Sequence, residues 1–149
     1  MALQKYNARD VDFQIEDFLS PGTWITIDAV NTFTKGNDQE TTDTTTYASQ
    51  GQAESQKMQI GKTLGLEGPR LRDSVTGAGD PGQAKVEALA ERLGEDSLGR
   101  VRFSHKNDTT WEIWTAHVTL GDQGGGNNDK TSWAATFTRS GASSSAAKP

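Results

Sequence analysis

The sequence predicts a mainly β domain with one helix and one long exposed connection, on three observations. Apolar side chains recur at every second position in short runs rich in Thr, Val, Ile, Phe and Trp. A single segment carries apolar residues at helical spacing instead, at Val86, Leu89, Ala90 and Leu93. Residues 36–53 are polar and Thr-rich and hold no large apolar side chain apart from Tyr47.

In chain order, "VDFQIEDFL" (residues 11–19) alternates Val11, Phe13 and Ile15 with Asp12, Gln14 and Glu16, and "SPG" at 20–22 supplies turn chemistry. "TWITIDAVNTFTK" (23–35) is dense in β-branched and aromatic residues, predicting one or two strands with a turn at Asp28 and Ala29. Residues 36–53 can cover little core and are expected to form an exposed loop. A connection of that length in a compact domain points to a projecting functional arm. Extended character resumes over 54–71, where Met58, Ile60, Leu64 and Leu66 alternate with polar residues or glycine.

The helix is expected at about residues 81–93 of "GDPGQAKVEALAERLG", with Asp80 as N-cap, Pro81 at the first helical position and Gln83 completing a capping-box-like pattern. Gly94 stops it. "GRVRFS" (99–104) places Val101 and Phe103 opposite Arg100 and Arg102, and "HKND" turns into "TTWEIWTAHVTL" (109–120). That strand has apolar weight on both faces at its start, which marks it as central or doubly covered. "SWAATFTRS" (132–140) is the last expected strand. The domain is read as residues 1–141, with the small-residue segment 142–149 as a flexible tail.

At 149 residues the chain suits one domain, but its core is lean: hydrophobic residues are 32% and mean hydropathy is −0.71. Fifteen Lys and Arg against 20 Asp and Glu give a formal charge of −5, against the basic balance of nucleic-acid binders. The acidic excess is concentrated in residues 1–40, where Lys5, Arg9 and Lys35 face seven carboxylates. Cysteine is absent, which removes disulfides and thiolate metal sites. No apolar run approaches the roughly 20 residues of a membrane span, so no membrane insertion is expected, and the N-terminus lacks a signal-like apolar stretch.

The stretch "GDQGGGNNDKTSW" (121–133) carries the residue types of phosphate cradles and calcium loops. It lies between two strand-like segments, so no helix N-terminus is available to an anion. Asn127 stands where a Walker lysine belongs, and a glycine-rich calcium repeat needs tandem copies where only one exists. A connector needing positive φ is the reading that fits. His105 and His117 make no zinc-type pair, and there is no G-x-S-x-G elbow. The expectation is a protein that is not an enzyme and needs no cofactor or metal.

Taken in order, the pieces resemble the major tail tube proteins of long-tailed bacteriophages. Trp24, Ile27, Val30 and Phe33 match an early "W-x-x-I-x-x-V-x-x-F" segment, and "LEGPRLRD" (66–73) matches "L-x-G-x-x-x-x-D". The "D-P-G-Q" helix start (80–83), the Gly/Asn-rich loop before "S-W" and the closing "F-x-x-S-G" (137–141) complete the pattern.

The resemblance implies a β-sandwich or barrel-like tail tube fold with one flanking helix. It further implies hexameric rings of one chain stacked into a hollow tube in the virion tail, made in the bacterial host cytoplasm. Expected partners are the tail terminator, tape measure and tail-tip proteins, while DNA passes through the lumen without specific binding. Thr41, Thr42, Asp43, Thr44, Thr45, Thr46 and Tyr47 become candidates for contact with a neighbouring ring. Asp12, Glu16, Asp28 and Glu112 become candidates for lumen-facing acids. The inner tube of a contractile tail or secretion needle is a close alternative. A monomeric β-sandwich that holds a carbohydrate or protein in its loops is a more distant one, disfavoured because Trp24, Trp111, Trp114 and Trp133 all lie inside expected strands rather than at loop tips.

Overall fold

Alternation decides which side of each strand faces the core. In the computed structural model, which describes residues 3–149, β1 (Val11–Glu16) buries Phe13 and Ile15 and leaves Asp12, Gln14 and Glu16 on the other side. The chain continues through β2 (Trp24–Thr26), β3 (Thr32–Asp43) and β4 (Ser55–Pro69), then, after helix α1 (Pro81–Ala90), β5 (Gly99–His105), β6 (Thr110–Leu120), β7 (Ser132–Arg139) and β8 (Ser144–Ala147), and the same rule sorts β5, β6, β7 and the second half of β4.

All pairings are antiparallel and belong to one sheet in the order β2-β1-β5-β6-β7-β4-β3, with β8 on β6. The sheet curls until its two ends meet. Phe13 of β1 and Phe33 of β3 sit far apart in strand order, yet their ring centroids are 5.2 Å apart. Phe103 continues the aromatic row, 6.2 Å from Phe13 and edge-on to Trp114 at 5.2 Å. Leu64, Leu66, Trp133, Ala135 and Phe137 complete the core face, and Val86 and Leu89 of α1 pack into it. The expected mainly β, sandwich- or barrel-like fold with one flanking helix is thus built from one antiparallel sheet rather than two separate ones.

The first turn of α1 locks the curl. The Asp80 carboxylate accepts from the Gly82 N–H (3.4 Å) and from the Asp28 N–H (3.3 Å), so one cap serves both the helix and the turn after β2. Gln83 is buried, and its amide bridges the Pro69 carbonyl (3.0 Å) and the Leu71 N–H (3.2 Å) just beyond β4. It therefore does not close a capping box. The expectation failed because the strand exit competes for the same amide, and it satisfies donor and acceptor at once. Two glycines permit the close approach. A Cβ on Gly82 would lie 2.5 Å from the Thr26 carbonyl oxygen, and one on Gly68 would lie 1.7 Å from that of Ala29.

Three further expectations are corrected. The helix ends at Ala90, and the chain turns through Gly94 at φ +66°, which leaves Leu93 exposed instead of in the buried stripe. The loop expected over 36–53 is strand as far as Asp43, including Thr41, Thr42 and Asp43. Its backbone pairs with Ser55 to Thr63 of β4 from Gly36 onward, and two strands solvated on both faces need no apolar alternation to do so. The tail expected to be flexible over 142–149 contains β8. Strand β7 pairs with β6 only from Ala116 onward, which leaves the backbone of Thr110 to Ile113 open to Ser144 to Ala147.

Gly68→Ala is expected to destabilise the protein by about 3 kcal/mol or more, because the new methyl meets backbone that cannot yield. Gly99→Ala should cost less, since its Cβ would meet only the tip of the Leu89 side chain. Urea denaturation of both variants checks the ranking; equal losses would contradict the proposed tight corner.

Candidate functional site

Beyond Thr63, β4 no longer pairs with β7, so β3 and β4 continue alone as a two-stranded ribbon that stands about 25 Å clear of the sheet. The ribbon is polar and exposed, with a bulge between Glu40 and Thr41. Its tip is nevertheless ordered by its own side chains. Asp43 accepts from the Thr45 N–H (2.9 Å), and the Thr45 hydroxyl accepts from the Glu54 N–H (2.8 Å). Hydrogen bonding to Asp43 from the Thr45 side chain, and then from the Thr45 N–H, holds its carboxyl below the usual carboxylate range. Thr46 and Ser49 form a reciprocal capping box around the turn Tyr47–Ser49.

The seven arm candidates are therefore divided by role. Thr41, Thr42 and Asp43 belong to β3, Thr44 and Thr45 join the strands across the tip, and Thr46 caps the turn that presents Tyr47. Tyr47 is fully exposed, and Met58 and Ile60 on β4 are 63% and 60% exposed. The ribbon thus holds three large apolar side chains in water in the isolated subunit.

The four acid candidates do not share one surface. Asp12 and Glu16 stand on the outer face of β1, where Glu16 is tied to Arg100 (3.0 Å) and accepts from the Gly22 N–H. Asp28 lies in the turn after β2. Glu112 pairs with Phe103 on the core side and accepts from the Trp114 indole (2.7 Å). It opens on a cleft that also holds Lys35, Phe103 and His105, where Lys35 lies over the Phe103 ring at 4.4 Å.

The glycine-rich loop closes on itself. The Ser132 hydroxyl and N–H both donate to the Gly124 carbonyl, and Asp129 accepts from the Gly126 N–H. Gln123 reaches Arg70 (3.1 Å), which also pairs with Glu87 of α1, and Glu87 accepts from the Trp133 indole (3.1 Å). The loop is thus pinned to helix and sheet. Among the described residues no three His, Asp or Glu side chains converge as metal ligands, and no helix is long and apolar enough to cross a membrane.

The fold is shared with solved particles. A chain of a gene transfer agent tail with C6 symmetry matches at a TM-score of 0.71 and 18% identity, covering 96% of this chain and 100% of that one. A chain of the native gene transfer agent virion matches at 0.67 and 19%, with the same coverage. A chain of the anti-feeding prophage baseplate matches at 0.63 and 13%, covering 99% of this chain and 98% of that one. No protein-family model and no curated protein matches the sequence.

The Arg70 guanidinium beside Glu87, aided by Trp133, holds the Glu87 carboxyl below its ordinary value of 4.5 despite partial burial. A depressed carboxylate stabilises the fold above its unfolded-state value, and that contribution is lost as pH falls through its folded value. Glu87→Gln is therefore expected to lower stability at pH 7 and to flatten the acid limb of the stability curve below pH 4.5. Parallel acid limbs for wild type and variant, measured by urea titration at several pH values, would contradict that role.

Proposed function

We propose that this chain is the repeating subunit of a phage-type tail tube. Six copies form a ring, the rings stack, and the arm of each subunit reaches a neighbour. The observation that carries the reading is the arm itself: a preformed ribbon with Tyr47, Met58 and Ile60 exposed, on a fold matched over nearly its whole length by chains of assembled tails. The lean core belongs to the same picture, since a subunit completed by neighbours need not bury all its apolar surface alone. In this reading the protein resides in the virion tail and meets terminator, tape measure and tip proteins at the ends of the tube.

The geometry also favours one wall for the channel. The outer face of β3, β4, β7 and the second half of β6 carries Thr32, Thr34, Thr63, Thr119, Thr136 and Thr138. In the body of the sheet the charged carboxylate on this face is Glu67; the arm adds Asp38, Glu40 and one cation, Lys57, while Lys35, Lys62 and Arg139 of the same strands stand on the core side with Leu64 and Phe137. A polar wall whose Lys and Arg are confined to Lys57, out on the arm, lets a polyanion slide, because each bound phosphate would need a cation to hold it. Asp12 and Glu16 lie on the same outer face but across the row of Arg100 and Arg102.

Purified protein at rising concentration is expected to form rings and hollow tubes by electron microscopy, with masses in steps of six subunits. A persistent monomer, even with a tail-tip nucleator present, would refute the reading. Excising residues 38–61 and joining the paired residues Asn37 and Lys62 through an Asn-Gly turn should leave the domain folded and abolish stacking. Normal polymerisation of that variant would remove the arm from the mechanism.

A further inference from the structure

The outer face of the sheet away from the threonine wall carries a stack of alternating cations and indoles. The Arg102 guanidinium lies over Trp24 at 4.3 Å and over Trp111 at 4.4 Å, held between two aromatic rings. Arg100 lies over Trp24 at 5.3 Å, and the Lys148 ammonium over Trp111 at 4.8 Å. The surrounding acids leave the centre of this stack uncompensated. Glu16 is taken by Arg100, and Asp12, on the same face, makes no ion pair. The side-chain partner of Arg102 is Gln14, through the Nε–H at 2.7 Å, and among the described residues no carboxylate lies within ion-pair distance of its guanidinium. Partial burial, together with the charge of Arg100, disfavours its protonated form.

A guanidinium held near two rings with its Nε–H on Gln14 has already lost much of its rotamer freedom, and its terminal N–H groups are the fork that a carboxylate matches with two parallel hydrogen bonds. The complementary charge is on the arm. Residues 37–62 contain Asp38, Glu40, Asp43 and Glu54 against Lys57 and Lys62, and all four acids lie in residues 37–54, which hold no Lys or Arg. Asp43 is committed to the tip turn and Asp38 accepts from its neighbouring Gln39 N–H, whereas the Glu40 and Glu54 side chains make no hydrogen bond or ion pair within the described subunit.

We infer that the Trp24–Arg102–Trp111 stack is the receptor for the acidic arm of a second copy of this chain, with Glu40 or Glu54 supplying the carboxylate that Arg102 lacks. This rests on the tube reading and names the subunit contact within it. Single-stranded nucleic acid, the other polyanion that aromatic and arginine side chains attract, fits less well. The faces on which bases would stack are already covered by Arg100, Arg102 and Lys148, and the protein as a whole is negative.

The test is a charge exchange read by the concentration at which the full-length protein sediments as assembled particles. Arg102→Glu and the pair Glu40→Lys with Glu54→Lys should each raise that concentration about tenfold or more, and the triple variant should recover most of the loss. Arg102→Met keeps the packing between the rings and removes the charge; it should match wild type in thermal unfolding of the monomer yet assemble as poorly as Arg102→Glu. The arm variants lie on exposed positions and control for misfolding. If wild type assembles and Arg102→Met does so equally well, or the triple variant is no better than the worse parent, the inference is overturned while the tube reading stands. If wild type never assembles, the tube reading itself has failed. A fluorescent oligonucleotide that binds wild type and loses binding in Arg102→Met, with assembly unchanged, would assign the stack to nucleic acid and equally overturn the inference.

Discussion

Asp80 and Gln83 are two of the three buried polar side chains among the described residues, and their hydrogen bonds go to different parts of the sheet. Asp80 holds the turn after β2 and Gln83 holds the exit of β4, while Gly82 and Gly68 let the same corner close against helix and strand backbones. Curling one sheet until Phe13 meets Phe33 brings strand ends together whose backbone groups must still be satisfied. The first turn of α1 satisfies several of them at once. Remove that clamp and the two ends of the sheet are held mainly by the aromatic row between them.

Most of this architecture was legible because burial imposes a period. Strands with one face on the core had to alternate, and β1, β5, β6 and β7 were found from Phe13, Val101, Trp114 and Phe137. The helix start was legible from Asp80 and Pro81, but the work of Gln83 was not, because its partners at Pro69 and Leu71 become neighbours only after the sheet has closed. The strand character of 36–43 was hidden for the opposite reason: a ribbon solvated on both sides has no period to read. Strand β8 was hidden because Ser and Ala carry no such signal, and only the open edge of β6 assigns it.

The candidate site was legible as a place more than as a geometry. The acidic, Thr-rich arm could be picked out from composition, whereas its exposed apolar side chains at Met58 and Ile60 looked like ordinary strand alternation. The stack around Arg102 was visible only as separate residues. Arg102 and Trp111 share a face through the register that sets Arg102 opposite Ile113, and Trp24 joins them through β1, which sets Gln14 opposite both Thr26 and Arg102. The body of the subunit is thus closed by its own clamp, while in the proposed tube the arm and the stack are the parts left for other copies. Stability and assembly are assigned to different residues, which is what permits one to be perturbed without the other.

Hydrogen exchange, followed on the same protein before and after it assembles, tests this division most directly. The account predicts that amides of Asn37 to Asp43 and Ser55 to Gly61 exchange far faster than those of Leu64 to Glu67 in the free subunit. On assembly the arm amides, together with those flanking Trp24 and Arg102, should become protected while the core strands change little. Arm amides already as protected as the core in the free subunit, or left unprotected in assembled particles, would contradict it.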